Sequence, residues 1–380
     1  MIPLLVLAAL IPVRTITAFV NVIPSNAEAK LIEAAAFLKQ AKTEMEKRGY
    51  TVQTVRVATE PAAAYAAELD GTAAVAFFVK LDAIAQREGF ALSIGPLDSG
   101  RAKLNSEIFR RTKNINASMI LRDATSARAA AELIVDLSKQ IPDGSQNFRF
   151  AAIAGLEPGS PFFPGGNASR ELDHSFALGA ESPALFREDR DVAAELGAIA
   201  DAGEALGRMF QKAAAAGNQA GWTYAGLDTS PAPAPDNSIA AAIEKIAGQA
   251  LGAPGTLSAT ASITAKIKGL KIRETGYNGL MLPVLEDDVL AKRVAEGRLS
   301  VYALLLYSAV CGTGLDTVPI AGDVPVDRIA ALLEDVALLA GRWKKPLTAR
   351  LFPVPGKKAG DEVRWNIPHL VGWFKVMPLV

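Results

Sequence analysis

The sequence has little of what most catalytic signatures require. Of its 380 residues, one is cysteine and two are histidine. A single cysteine excludes an internal disulfide bond, which fits a reducing compartment. Two histidines leave little material for a zinc site, because zinc prefers histidine and cysteine ligands. We therefore expect a cytoplasmic protein whose chemistry depends on other residue types.

The sequence also has no excess of charge of either sign. Forty basic and forty acidic residues cancel, and no long basic run occurs, so nucleic acid is not expected as a partner. In a signal peptide, positive charge precedes the apolar run. Here the first basic residue, Arg14, follows the apolar run at the start of the chain. This run is also too short to span a bilayer. We interpret residues 1–12 as an apolar extension, residues 13–380 as one domain, and expect no membrane association.

Strand and helix patterns alternate along the chain. An alternation of this kind predicts parallel pairing and an α/β fold, either a closed barrel or, as the alternative, a doubly wound sheet. The run at 301–310 fits either element. Strands are predicted at 13–20, 51–57, 90–94, 117–121, 148–153, 222–227, 279–283 and 347–352. Helices are predicted from a capping box of Ser25 and Glu28 to about Arg48, at 62–88 with a break near Asp70, and at 102–111, 125–140, 189–216, 258–268, 287–295 and 326–342, with one more capped by Asp236 or Asn237.

The acids that follow or end apolar stretches are the first candidates for chemistry. Such positions converge at the carboxyl edge of a parallel sheet. Carboxylates there could act as a general acid and base, or as oxygen ligands of Mg²⁺ or Ca²⁺. For Asp287 and Asp288, helix capping is the alternative. The residues predicted as catalytic are Asp228, Glu286, Asp316 and Asp323, with Cys311 beside them.

Cys311 precedes a glycine-rich turn whose N–H groups could lower the pKa of a thiol. The usual histidine partner is missing, since His174 and His369 lie outside this stretch. A buried, inert thiol is therefore the alternative to a nucleophile.

Glycine turns and cations predict an anion site. Backbone N–H groups at a helix start hold phosphate or carboxylate, and arginine grips either through two bonds. Neither a Walker motif nor a dinucleotide fingerprint is present. Phe162 and Phe163, in the loop at 157–166, could wall a pocket or cover the barrel end. The residues predicted to bind substrate are Arg14, Thr15, Gly255, Thr256, Gly312, Gly314, Arg350 and Lys357.

Several of these motifs, in one order, resemble the DUF711 family, also called UPF0210. They include Arg14 to Thr17, Gly276 to Gly279, Cys311 to Asp316 and Arg350 to Lys358. The resemblance implies a ten-stranded α/β barrel with helices outside, similar to the pyruvate formate-lyase-type glycyl radical enzymes. It also implies an ACT-domain protein as a partner, but no established reaction.

A glycyl radical is the most specific chemistry that this likeness suggests. Gly276 lies in an Arg-x-x-Gly-Tyr context, and Cys311 could carry the thiyl. The glycine precedes the cysteine, however, which reverses the usual order and favours a turn that requires positive φ at Gly276.

We therefore expect an enzyme that acts on a small anionic metabolite by acid–base chemistry at the barrel mouth. The alternative is a non-catalytic sensor of a small molecule, such as an amino acid, that works with a partner protein. Alanine-rich helices suggest a homo-oligomer. The sequence leaves the substrate, the metal and any cofactor open.

Overall fold

Nine strands form one mixed sheet in the computed structural model, which describes residues 10–379. The strands are rich in β-branched and other apolar residues, a composition that favours extended backbone. Two further short strands pair as a separate hairpin near the end of the chain. In chain order the strands are β1 (Val13–Val20), β2 (Val52–Thr59), β3 (Ala91–Pro96), β4 (Ile115–Ile120), β5 (Phe150–Ala154), β6 (Ser175–Ala180), β7 (Thr223–Asp228), β8 (Gly314–Ala321), β9 (Leu347–Val354), β10 (Glu362–Arg364) and β11 (Trp373–Lys375).

The strands of the sheet run in two directions. Their order is β7-β6-β1-β2-β3-β4-β5-β9-β8. Strands β1 to β5 pair in parallel, as do β6 with β7 and β8 with β9. The expectation of purely parallel pairing is wrong at two places, because β6 is antiparallel to β1 and β9 to β5. The connection from β5 to β6 contains no α-helix. Strand β6 can therefore run back beside β1 in the opposite direction, because only a parallel pair needs a helical crossover.

The ladder ends at β7 on one side and at β8 on the other. Residues 273–283 pass between these two edges and touch each through a single bridge. One bridge joins Leu227 to Glu274 and the other joins Pro283 to Asp316. Among residues 10–379 the predicted ten-stranded closed barrel is therefore not seen, and the sheet has nine strands.

The strand predicted at 279–283 does not form. Its backbone turns just before this range, where Gly276 and Asn278 have φ of 82° and 48°. Pro283 at its end has no N–H to offer a ladder. Turn geometry in this segment therefore outweighs its apolar pattern.

Helices cover the outer face of the sheet. On β1, Ile16 and Ala18 point outward into a large apolar core shared with the helices, whereas Thr15 and Phe19 point to the inner face. The helices are α1 (Ala27–Lys47), α2 (Ala62–Ala66), α3 (Gly71–Glu88), α4 (Ala102–Arg111), α5 (Ala124–Gln140), α6 (Pro183–Arg187), α7 (Val192–Ala215), α8 (Ile239–Ala247), α9 (Thr256–Lys268), α10 (Asp288–Ala295), α11 (Val301–Tyr307) and α12 (Val326–Trp343).

Most predicted elements are confirmed within a few residues, but four of the described strands were missed, namely β6, β8, β10 and β11. The break near Asp70 is confirmed, and the Asp70 side chain caps α3 by accepting from Ala73 N at 2.8 Å. The ambiguous run at 301–310 begins as helix α11. Strand β6 lies in a stretch without clear periodicity, and β8 follows the glycine turn that we had interpreted as a loop.

Two cap predictions were wrong. The residue before α1 is Asn26 rather than Ser25, and its side chain accepts from Ile23 N outside the helix. Helix α8 is capped by Ser238, whose Oγ accepts from Ala241 N at 2.9 Å. In both cases a neighbouring polar residue of similar capping ability occupies the position.

The start of the chain lies mostly outside the described residues. Positions 1–9 of the predicted extension cannot be compared, but Ile11 is buried and the Pro12 carbonyl accepts from Glu181 N. Among residues 10–379, no helix is both long and apolar enough to cross a membrane.

Asp287 joins two helices. As predicted it caps α10, accepting from Leu290 N at 2.9 Å. It also accepts from Ser238 Oγ at 2.7 Å and from the first two N–H groups of α8 at 2.9 and 3.1 Å. Its side chain is fully buried. The carboxylate therefore satisfies donors that neither helix could satisfy internally.

We predict that Asp287→Ala lowers the free energy of unfolding by about 3 kcal/mol, because it leaves several buried donors unpaired. The exposed neighbour provides the control, since Asp288→Ala removes only a first-turn charge and should cost less than about 1 kcal/mol. Urea unfolding of both variants measures the difference. Equal losses would mean that Asp287 does not join the helices.

Candidate functional site

A cavity of about 260 Å³ lies on the inner face of the sheet. It is bounded by the start of β1, the middle of β2 and β9, and the ends of β6 and β7. Because β6 and β7 run against β1, these parts meet at one end of the sheet. The polar lining residues are Arg14, Thr15, Arg56, Asp228, Ser230, Glu286, Asp316, Arg350 and His369, and the larger apolar ones are Phe148, Pro161, Phe162, Phe163, Pro233, Met281, Pro283, Ile367, Pro368 and Leu370.

Irregular strand pairing turns two predicted residues toward this cavity. The register between β1 and β6 shifts by one residue at Arg14, so that Arg14 and Thr15 both line it. The register between β8 and β9 shifts between Leu315 and Val318, around Asp316. Thr317, beside it, has φ of 44°, which is rare and costly for a β-branched residue. Such bulges commonly re-aim side chains at functional sites.

Arg350 is the centre of the charged network. Its Nε donates to Asp316 Oδ1 at 2.5 Å and its Nη2 to Glu286 Oε1 at 2.6 Å. The guanidinium also lies over the Phe162 ring, 5.4 Å from its centroid. Although burial opposes its charge, the two carboxylates raise the pKa of Arg350 above its ordinary value. Arg350 and both of its carboxyl partners were predicted as site residues from the sequence, but the contacts that join them could not be.

Glu286 connects this network to Arg14. The second Glu286 oxygen, Oε2, lies 3.5 Å from Arg14 Nη2. On its other side Arg14 approaches Glu181 Oε2 at 3.6 Å. Glu181 is held in turn by Gln53, at 2.5 Å, and by Asn237, at 2.9 Å. Glu181 was missed because it follows the unrecognised strand β6.

Arg56 is the unbalanced charge of the cavity. Its Nη1 donates to the Pro161 carbonyl at 3.0 Å, and its guanidinium lies 4.9 Å from the centre of the Phe163 ring. Within residues 10–379, no carboxylate oxygen lies within 4.0 Å of its nitrogens. Burial and the positive charge of Arg14 lower the pKa of Arg56 to about 9, so it remains a cation at neutral pH.

Sequence reasoning missed Arg56, although a signal for it exists. It is a charged residue between two valines, Val55 and Val57, in a stretch predicted as a strand. A charge in such a run costs free energy unless it serves a partner.

Asp228 lines the cavity but is also a structural carboxylate. Its oxygens accept from the backbone N–H groups of Ser230, Tyr277 and Asn278 at 3.0, 3.0 and 3.2 Å. A Cβ on Gly276 would lie 2.2 Å from Asp228 Oδ2. This close approach and the positive φ confirm the turn interpretation of Gly276.

Asp316 has the environment of a proton-transferring group. Its residue is only 2% exposed. Burial raises the pKa of its carboxyl above the ordinary value; the Arg350 guanidinium opposes this rise and the Glu286 charge adds to it. Carboxyls perturbed in this way, in a cleft, are typical of general acids and bases.

The predicted glycine-rich turn lies away from the cavity. Cys311 is buried, as one of the two alternatives expected, and its carbonyl accepts a hydrogen bond from the Lys345 ammonium. Gly312 crosses so close to Gly279 that a Cβ on either would collide with the other's backbone. Gly314, with φ of 93°, packs against Thr348. These glycines allow close packing of the backbone against Gly279 and Thr348, and they do not present N–H groups to the cavity.

Four more predicted residues do not line the cavity. Asp323 is exposed at the far end of β8, because Asp316 and Asp323 are separated by a strand of about 3.3 Å per residue rather than by a loop. The Lys357 backbone carbonyl accepts from Gly322 N in the neighbouring turn. Gly255 ends the turn before α9, and Thr256 is the first residue of that helix, where its Oγ1 donates to the Ala253 carbonyl at 2.8 Å.

Phe162 and Phe163 wall the cavity rather than cover the end of the sheet. His369 also lies at its mouth, so a histidine is closer to the acids than the sequence suggested. Across the residues that the structure describes, no three side chains of His, Cys, Asp or Glu gather as a metal site would need. The divalent cation considered from the sequence gains no support from this geometry.

Comparison with known proteins gives one consistent result. A family model described as "Uncharacterised ACR (DUF711)" matches residues 5–366. The match begins before Val13, the residue from which the sequence motifs had suggested the resemblance. A "UPF0210 protein" of Pyrobaculum arsenaticum is 31% identical over 92% of this chain and 86% of its own length. Proteins with the same name from Pyrobaculum islandicum and Carboxydothermus hydrogenoformans are 29% and 26% identical, over 97% and 90% of this chain and 90% and 83% of their own lengths.

The raised pKa of Asp316 predicts a pH-dependent stability. A carboxyl that is harder to ionise in the folded state contributes stability below its ordinary pKa of 3.8, and this contribution is lost as the pH rises through the folded-state value. The stability of the wild type relative to Asp316→Asn should therefore fall as the pH rises above about 4. Urea unfolding at increasing pH measures it. A relative stability that rises with pH would mean that Arg350 outweighs burial and lowers the pKa of the Asp316 carboxyl.

Proposed function

Because this chain belongs to the DUF711 family, also named UPF0210, whose members are uncharacterised, we propose a function from the cavity alone. The protein binds a small anionic metabolite on the inner face of its sheet and transfers a proton to or from it. Arg56 binds the anion, and Asp316 is the acid–base group.

The unpaired guanidinium of Arg56 carries this proposal. The other two arginines of the cavity already contact carboxylates, Arg350 within 2.6 Å and Arg14 at 3.5 and 3.6 Å. Arg56 has five N–H donors, and one bond to the Pro161 carbonyl uses only one of them. A carboxylate or a phosphate could take two of the remaining donors at once.

The acid–base role is supported by the surroundings of Asp316. General acid–base catalysis needs a group whose pKa lies closer to neutrality than that of a free carboxyl. Burial moves Asp316 in this direction. Arg350 can stabilise the charge that forms when Asp316 gives up its proton, and Glu286 shares that arginine.

Arg14 and Asp228 have supporting roles in this proposal. Arg14 is held between Glu286 and Glu181, so it presents charge without moving freely. Asp228 fixes the turn at residues 276–279, which carries Met281 to the cavity wall. Both act mainly by positioning other groups.

Other inferences from the sequence remain proposals. Residues 273–283 bridge both edges of the sheet, which supports closure into the ten-stranded barrel of the glycyl radical enzymes. A single domain at 13–380, a cytoplasmic location, a homo-oligomer and an ACT-domain partner are retained as expectations. The sensor alternative keeps the same cavity but requires no proton transfer.

Loss of the Arg56 charge should weaken anion binding. In Arg56→Gln we expect affinity for small carboxylates or inorganic phosphate to fall at least about tenfold, because a charge-assisted bond contributes about 1.5–3 kcal/mol. Titration calorimetry with these anions measures it. Arg111→Gln, which removes an exposed arginine of α4, should leave binding unchanged.

Unchanged anion affinity in Arg56→Gln would contradict the proposal. Catalysis is tested separately, by identifying any metabolite that co-purifies and following its conversion by wild type and Asp316→Asn. The variant should bind the metabolite but not convert it. A metabolite that the wild type binds and leaves unchanged would favour the sensor.

A further inference from the structure

The cavity has two chemically different sides, which restrict the ligand further than charge alone. This inference rests on the proposed function. We propose that the ligand is a monocarboxylate with a compact branched or aromatic body. Its carboxylate binds Arg56, and its body packs against Phe162 and Met281.

The pairing of the charged lining residues, rather than their equal numbers, favours a single negative charge on the ligand. Three arginines and three carboxylates face the cavity. Arg14 contacts Glu181 and Glu286, and Arg350 contacts Glu286 and Asp316. Of these three arginines, Arg56 is therefore the one without an acidic partner among residues 10–379. A second negative charge on the ligand would face Glu286 and Asp316 without a free cation. Burying an unpaired charge in this way is strongly unfavourable.

The apolar side is preformed. Phe162, Tyr277 and Met281 form their own buried cluster, in which the Phe162 and Tyr277 rings lie 5.1 Å apart at 72°. Phe162 and Met281 keep 8% and 7% of their surface exposed, and both line the cavity. Methionine adapts its shape to irregular apolar groups. A ligand without an apolar part would leave this wall facing water.

Phe163 and Phe162 connect the charged side of the cavity to its apolar side. Phe163 lies beneath the Arg56 guanidinium and Phe162 beneath that of Arg350. An aromatic ring next to a cation orients it and still offers its edge to an apolar group. A carboxylate on Arg56 therefore directs the rest of the molecule along an aromatic surface.

The size of the cavity limits the body of the ligand. Its volume of about 260 Å³ is below the range of about 300–1,000 Å³ that is usual for drug-sized ligands. A ligand of about ten non-hydrogen atoms, such as a phenyl or isobutyl group on a short acid, suits this space.

The test compares probes that differ in one property. Phenylacetate and 4-methylpentanoate carry both charge and body; acetate lacks the body, phenylacetamide lacks the charge, and succinate and inorganic phosphate offer more negative charge. Titration calorimetry with the full chain measures each affinity. We expect phenylacetate or 4-methylpentanoate to bind at least about tenfold more tightly than the other four. Acetate lacks the apolar body, whose burial contributes more than a tenfold change requires. Phenylacetamide lacks the charge-assisted bond to Arg56, and succinate and phosphate bring more negative charge than the free cation can pair.

Variants of the apolar wall provide a second readout. Met281→Gln should weaken phenylacetate binding at least about tenfold and leave acetate binding unchanged, whereas Met281→Leu should keep both. Met281→Ala serves in place of Met281→Gln if that variant does not fold, because it also removes most of the apolar contact. Tighter binding of succinate or phosphate, lost in Arg56→Gln, would overturn this ligand class but leave the proposed function standing. Wild-type protein that binds none of the anions would overturn both.

Discussion

The site depends on one buried guanidinium shared by two carboxylates. Arg350 lies between Asp316 on the neighbouring strand and Glu286 in the turn before α10. Buried charges are stable only when they are paired, so these three residues fix the positions of β8, β9 and that turn relative to one another. The same guanidinium stacks on Phe162 and thereby holds the loop that walls the cavity. Glu286 extends the network to Arg14 on the opposite side.

The sheet supplies the geometry that this network needs. Its two antiparallel boundaries bring the start of β1 and the end of β7 to one end, so Arg14 and Asp228 become neighbours of one cavity. Bulges at Arg14 and around Asp316 then turn their side chains inward. With these charges engaged, Arg56 remains the cation without an acidic partner, and this is why we place the ligand's anionic group there.

The sequence predicted the residue types of the site better than its shape. Asp316 and Glu286 were recognised because an acid next to an apolar stretch indicates a candidate site residue even when the strand order is unknown. Arg56 and Glu181 were missed because a single sequence does not tell which face of a strand looks inward, or that β6 exists at all. Asp323 was listed with Asp316 for a related reason, because β8, the strand that separates the two residues, was not recognised. The alternating elements were predictable from local periodicity, whereas strand direction and bulges depend on distant pairing.

A double-mutant cycle between Arg350 and Asp316 tests this account most directly. Arg350→Met alone should lower the free energy of unfolding by about 3–5 kcal/mol, because it leaves buried carboxylates unpaired. Adding Asp316→Asn removes one of those carboxylates and should restore at least about 1 kcal/mol, measured by urea unfolding at neutral pH. Losses in the double variant that equal the sum of the two single losses would show that the charges act independently, and would contradict the shared guanidinium as the organising interaction.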